Sequence, residues 1–149
     1  MVDVSYPKLF PERFVMRVLI VDDSKIVCEG LQHMIIHIAD IEIVGPAHNA
    51  LDAIRFVSES KPDVVILDIR LPGLSGIDVL KDIRDKKLPI RVIMLTNYPY
   101  PQYRKKCGEL GADYFFDKVT EIEEIPKVIE ELAKNKPETV KKQLRKIRA

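Results

Sequence analysis

The residues best suited to chemistry in this chain are Asp22 and Asp23, Asp68, Thr96 and Lys118. Each stands where a short apolar run stops. Asp22-Asp23 follows Val18-Leu19-Ile20-Val21, and Asp68 follows Val64-Val65-Ile66-Leu67. Thr96 follows Ile90 to Leu95, and Lys118 comes just after Tyr114-Phe115-Phe116. Unbroken runs rich in β-branched residues read as strands buried on both faces. A carboxylate at the end of such a strand is costly unless something binds it. In open α/β sheets ligands sit outside the carboxyl ends of the strands, where Asp68 would be. The plainer alternative makes Asp68 a cap of the turn signalled by Pro72-Gly73 and Ser75-Gly76.

On one rim, these carboxylates repel and raise one another's pKa unless a cation neutralises them. An all-oxygen carboxylate set suits Mg²⁺, which keeps several waters and takes a few carboxylates plus a substrate phosphate. With the metal held, Asp68 can act as a nucleophile toward phosphorus and form an aspartyl phosphate. Mg²⁺, the Lys118 ammonium and the Thr96 hydroxyl would stabilise charge on the outer oxygens of the transferring group.

Alternating elements must position these groups. After the first strand, Ser24 is placed to cap a helix whose apolar positions Val27, Leu31, Met34, Ile35 and Ile38 recur at helical spacing. Ile41 to Val44 is a second strand, stopped by Gly45-Pro46. Asn49 opens a second helix with Leu51, Ile54, Phe56 and Val57, closed before Pro62. Ser75 and Asp78 resemble a capping box for a third helix carrying Ile77, Leu80 and Ile83. Pro99 and Pro101 fix the start of a fourth, which Gly108 or Gly111 ends. The last helix carries Ile125, Val128, Ile129 and Leu132, with Pro126 tolerable only in its first turn. Five alternations of strand and helix imply a parallel sheet covered on both faces, joined by right-handed crossovers.

The whole-chain properties agree with one ordinary domain. A chain of 149 residues with 46% hydrophobic and 32% charged residues is long enough for a single substantial core. A net charge of +1 gives no global pull toward nucleic acid. No apolar run approaches the roughly 20 residues that span a bilayer, and the start lacks a signal peptide's apolar core. With Cys28 and Cys107 far apart, a reduced cytoplasmic setting is expected, with both thiols as packing residues. His33, His37 and His48 lack partners at metal spacing, so structural or exposed roles are expected for them. Residues 1–16 read as an irregular extension, with Met16 as a second candidate start.

Taken together, Val18-Leu19-Ile20-Val21-Asp22-Asp23-Ser24, Pro62 through Asp68, Leu71-Pro72-Gly73-Leu74-Ser75-Gly76, Val92 through Thr96, and Gly111-Ala112-Asp113 through Lys118 resemble the receiver domain of a bacterial two-component response regulator. The resemblance spans about residues 17–134. It implies a flavodoxin-like doubly wound sheet of strand order 2-1-3-4-5 with helices on both faces. It further implies Asp68 as phospho-acceptor, Asp22, Asp23, Asp68 and the Arg70 backbone carbonyl as Mg²⁺ ligands, Thr96 and Lys118 as phosphoryl contacts, and Thr96 with Phe115 as the switch. The implied partner is a histidine kinase or a histidine phosphotransfer protein. Two features depart from the pattern. Val119 replaces the usual proline after Lys118, and Asn97 replaces a small residue after Thr96, with Arg70 and Tyr98 at the expected mouth.

Three other readings fit these residues less well. An aspartate-nucleophile phosphatase of the haloacid dehalogenase type would want a carboxylate two residues after Asp68, where Arg70 stands. A flavodoxin-like flavin binder would want a Ser/Thr-rich phosphate loop after the first strand. A non-phosphorylated receiver-like scaffold would not need the intact set of acids, Thr96 and Lys118. Tyr98, Tyr100 and Tyr103 are scattered surface aromatics or an interaction patch. Output is expected through protein contacts of the fourth helix, fifth strand and last helix, including a homodimer, with no DNA-binding domain and no transmembrane segment. The tail 135–149 is basic, with Val140, Leu144 and Ile147 on one helical face. It is either a solvated charged face or an amphipathic segment for a membrane surface, nucleic acid or a partner groove.

Overall fold

The structure, a computed structural model, describes residues 14–135; the basic tail lies outside them, as do residues 1–13 of the expected extension. Strands and helices alternate from β1 (Met16–Val21) and α1 (Lys25–Ile35) through β2 (Ile41–Ile43), α2 (Ala50–Ser60), β3 (Val64–Leu67) and α3 (Gly76–Asp85). They continue with β4 (Arg91–Thr96), α4 (Pro101–Glu109), β5 (Tyr114–Asp117) and α5 (Glu124–Lys134). The strands form one parallel sheet in the order β2-β1-β3-β4-β5, the flavodoxin-like arrangement.

The period of two in each strand splits the core into two layers. Leu19, Val21, Val65, Leu67, Val92 and Met94 point to one face, where Ala53, Val57, Val79, Leu80, Ile83 and Cys107 of α2, α3 and α4 cover them. Val18, Ile20, Val64, Ile66, Ile93 and Leu95 point to the other, under Cys28, Leu31 and Ile35 of α1 and Ile125, Val128 and Ile129 of α5. Each such aliphatic side chain contributes about 1.5–3 kcal/mol by leaving water. Leu51 departs from the expected pattern. It is 68% exposed, and Ala50 and Ala53 meet the sheet instead, because small residues let α2 lie closer.

The caps fall where the side chains predict. Ser24 accepts from Val27 N–H, Asn49 from Asp52 N–H, and Ser75 and Asp78 form a reciprocal capping box. Pro101 opens α4, and Gly111, at φ +92°, follows its end. Strand ends differ by a residue or two. β1 starts at Met16, whose N–H bonds the Asp40 carbonyl, and β2 stops at Ile43. β4 runs Arg91–Thr96, and β5 extends to Asp117, because Thr96 pairs with Asp117.

Candidate functional site

Parallel register brings Val21 beside Leu67, Leu67 beside Met94 and Thr96 beside Asp117. The residues after β1 and β3, the last of β4 and the first beyond β5 therefore meet at one rim. They are Asp22, Asp68, Thr96 and Lys118, which are also the buried polar or charged residues among those described. Lys118 Nζ lies 2.5 Å from Asp22 Oδ2 and 2.9 Å from Asp68 Oδ2. Its own backbone N–H bonds the Thr96 carbonyl at 2.8 Å.

The two buried acids are held differently. Asp22 is tied at every polar atom. Its N–H donates to Ala47 O at 3.1 Å, and its Oδ1 accepts from Ser24 N–H at 2.9 Å. Its carbonyl accepts from His48 Nδ1 at 2.9 Å and from the Cys28 thiol at 3.4 Å. Asp68 is anchored through its N–H on the Val21 carbonyl at 3.0 Å. The start of α3 presses on its other side: a Cβ added at Gly76 would lie 1.8 Å from the Asp68 carbonyl oxygen. Only glycine lets the helix approach this close. Asp68 Oδ1, by contrast, is buried with no hydrogen-bond partner.

The charges explain the titration of this cluster. Burial pushes the Asp68 carboxyl above its ordinary range, Lys118 opposes this by hydrogen bond and charge, and the Asp22 charge adds to the rise. Burial pulls Lys118 down, but its hydrogen bonds to Asp22 and Asp68 outweigh that and its pKa is raised. Both values rise, for different reasons: burial prevails at Asp68, which shares its lysine, and two carboxylate partners prevail over burial at Lys118. The rim thus carries surplus negative charge, increased by exposed Asp23. Asp22, Asp23 and Asp68 can each place an oxygen within 4.8 Å of the others. Three hard oxygen donors, among them Asp68 with a bare buried oxygen, fit a hard divalent cation.

Around the mouth, the Arg70 guanidinium lies 3.6 Å from the Tyr98 ring centroid. Thr96 Oγ1 accepts from Tyr98 N–H at 3.0 Å. Phe115 is half-buried against the α2–α3–α4 layer. Arg104 of α4 lies 4.6 Å over the Phe115 ring and donates to its carbonyl at 3.2 Å. The Lys118–Val119 peptide is trans, and Val119 N–H bonds Asp117 Oδ1 at 2.9 Å, a bond that proline could not make.

Sequence reasoning therefore assembled the acids, Thr96 and Lys118 at one rim, but it missed three supports. Gly76 was visible only as a turn signal, and Arg104 only as a surface charge. His48 gave no signal in its spacing, since its partner is a backbone carbonyl. His33 and His37 are exposed. Cys28 and Cys107 are buried; burial, with the Asp22 charge at Cys28, pushes each thiol up to about 11. Among the described residues no helix is long and apolar enough to cross a membrane.

Comparison with known proteins agrees with this geometry. The family model of the response regulator receiver domain matches residues 18–130. The uncharacterised transcriptional regulatory protein YhcZ of Bacillus subtilis is 34% identical over 112 residues, covering 75% of this chain and 52% of YhcZ. The chain spans about half the length of the curated relatives it matches. A DNA-binding response regulator of the LuxR family from Staphylococcus aureus has a TM-score of 0.74 and 34% identity, over 80% of this chain and 99% of that one. The CheX–CheY–BeF3–Mg²⁺ complex from Borrelia burgdorferi has a TM-score of 0.67 and 27% identity, over 78% and 90% of the two chains. A family model that covers the strands, the acids and the lysine leaves one conclusion: the chain belongs to the response regulator receiver domain family.

Proposed function

We propose that this receiver is a phosphorylation-dependent switch that accepts a phosphoryl group on Asp68 from a phosphohistidine of a kinase or phosphotransfer protein. The observation that carries the reading is Asp68 Oδ1, a buried carboxylate oxygen left unmatched beside two further acids and a lysine. Oδ1 attacks phosphorus, the bond from phosphorus to the donor nitrogen breaks, and the imidazole leaves with the electron pair. Mg²⁺, held by Asp22, Asp23, Asp68 and the Arg70 carbonyl, would supply charge neutralisation at the phosphoryl oxygens when bound. The Borrelia burgdorferi CheY complex, whose composition includes BeF3 and Mg²⁺, supports this choice. Lys118 is already within reach of Asp68 and contacts the incoming group.

The switch follows from the hydrogen bonds around Thr96. Its hydroxyl turns from Tyr98 N–H toward the phosphoryl group, which opens space for Phe115 to turn inward. Arg104 rides on Phe115, so the motion reaches the outer surface of α4. That surface exposes Arg104, Lys105 and Lys106, while Glu123 and the half-exposed Glu124 stand at the start of α5. Positive charge on α4 and negative charge at the start of α5 suit pairing across a two-fold axis or docking of a partner. Intact mass after incubation with acetyl phosphate and Mg²⁺ tests the chemistry. One added phosphoryl group is expected, lost on chelation and absent in Asp68→Asn. Equal labelling of Asp68→Asn would sink the reading.

A further inference from the structure

The edge strand β2 is only three residues long, ending at Ile43, which pairs with Val18; β1 continues to Val21 and leads into Asp22. Hydrogen bonding along that flank of β1 nevertheless continues at every second carbonyl. Val44 N–H donates to Val18 O at 2.9 Å, and Ala47 N–H donates to Ile20 O at 2.9 Å. At the next position, Asp22 O, the donor is His48 Nδ1, again at 2.9 Å. A side chain has taken the place of a backbone amide. Because a carbonyl oxygen only accepts, the proton belongs on Nδ1. The Cys28 thiol, 3.9 Å from Nδ1, donates to the same oxygen at 3.4 Å.

We propose that His48 is a positioning residue for the acid pair, its imidazole supplying the last rung of the β1 ladder and so fixing the peptide between Asp22 and Asp23. The inference rests on the reading of these acids as a divalent-cation site. Asp22 has ties of its own, to Ser24 N–H and Lys118. Asp23 is exposed, and its carboxylate makes no hydrogen bond or ion pair among the described residues. Its direction is therefore set by the backbone that carries it. A peptide whose carbonyl is clamped from the β2 side cannot rotate, and both carboxylates stay aimed at the rim. Without the imidazole, the loop that stands in for the missing end of β2 loses its final contact, and Asp23 loses its bearing.

The test is Mg²⁺ affinity by calorimetric titration of the full chain, together with the imidazole ¹H–¹⁵N spectrum. His48→Leu keeps the bulk and removes the donor, and should weaken Mg²⁺ binding roughly tenfold, the scale of lost outer-shell contacts. His48→Asn, whose amide nitrogen can stand in for Nδ1, should recover most of that loss. Ile83→Val thins the core under α3 without touching the loop, and should leave affinity unchanged. The spectrum should show a proton on Nδ1 of His48 before any metal is added. Equal affinity in wild type and His48→Leu, no recovery in His48→Asn, or an Nδ1 without a proton overturns the proposal alone. A wild-type chain that binds no Mg²⁺ overturns it together with the reading beneath it.

Discussion

Aspartates stand at both ends of this sheet, and the two ends use them in opposite ways. At the amino end, Asp113 takes Arg91 at 3.0 Å, Arg84 at 3.1 Å and the Val92 amide at 2.8 Å. Asp63 accepts from Arg17 N–H at 2.8 Å, and Arg84 also binds the carbonyls of Leu88, Ile90 and Gly111. Asp113 draws three donors and ties neighbouring strands together, while Asp63 ties Arg17 of β1 to the start of β3 with one. At the carboxyl end, two buried acids share Lys118 and one oxygen stays bare. Standing at a strand end does not distinguish Asp113 from Asp68; the donors aimed at each carboxylate do, three against the one lysine that Asp68 shares with Asp22. A closed clasp at one end holds the register that lets the other end stay electrostatically unbalanced.

The largest expected effect comes from removing the buried cation of the unbalanced end, Lys118. Lys118→Met would leave Asp22 and Asp68 buried without a counter-charge, and loss of one partner from a buried pair costs about 3–5 kcal/mol. Urea unfolding without metal should show this loss, and Mg²⁺ should restore part of it by binding the surplus carboxylates. If Lys118→Met unfolded like wild type, the acids at this end would be no less satisfied than those at the other.

At the stitched end, Asp113→Ala should cost about 2–3 kcal/mol, the scale of hydrogen bonds to charged groups. Mg²⁺ should restore nothing there, and the rate of labelling from acetyl phosphate should stay as in wild type. A labelling defect of the same size as the stability loss would mean that the two ends are not separate in function.

Asp68→Asn should act with the opposite sign. The folded pKa of Asp68 is raised above its ordinary value of 3.8, so the folded protein holds this proton more tightly than the unfolded chain. Stability from this group is full below the ordinary value and falls as pH rises through the folded one. Ionised Asp68 therefore destabilises the metal-free protein at neutral pH. Asp68→Asn should raise its stability by about 1 kcal/mol, on the scale of an unmatched buried acceptor. The gain should vanish at acid pH. Burial also raises Asp63, so some of the pH dependence survives the substitution. A destabilised Asp68→Asn at neutral pH would break the comparison.

The contrast between the ends also explains what the sequence made legible. Unbroken apolar runs placed β1, β3 and β4, and the residue ending each run named Asp22, Asp68 and Thr96, because the parallel register carries strand ends to one rim. Caps were readable because Ser24, Asn49 and Ser75 act on residues three positions away. Side chains that bond distant backbone left no pattern. Arg84 reaches Gly111 and His48 reaches Asp22, and nothing local in sequence couples either pair. Leu51 misled because helical spacing alone cannot tell a sheet-facing leucine from an exposed one when alanines stand beside it.

The smallest expected effect sharpens the comparison through arginine instead of aspartate. Arg84 at the stitched end spends its guanidinium on carbonyls and on Asp113. Arg70 at the other end is exposed and lies over the Tyr98 ring, two residues beyond Asp68 and two beyond Thr96 respectively. On the proposed reading, the pair stands at the mouth through which water would reach a phosphoryl group on Asp68. Exposed cation–π contacts contribute about 0.5–1 kcal/mol, equivalent to roughly a two- to fivefold change in rate. Arg70→Ala and Tyr98→Ala should each shorten the phosphoryl lifetime by about that factor. The double variant should do no more than either single one, because the two side chains make one cover and their effects are not independent. Phosphate release followed after removal of the donor measures all three. Additive effects would mean that Arg70 and Tyr98 act separately, and an unchanged lifetime would mean that water enters by another path.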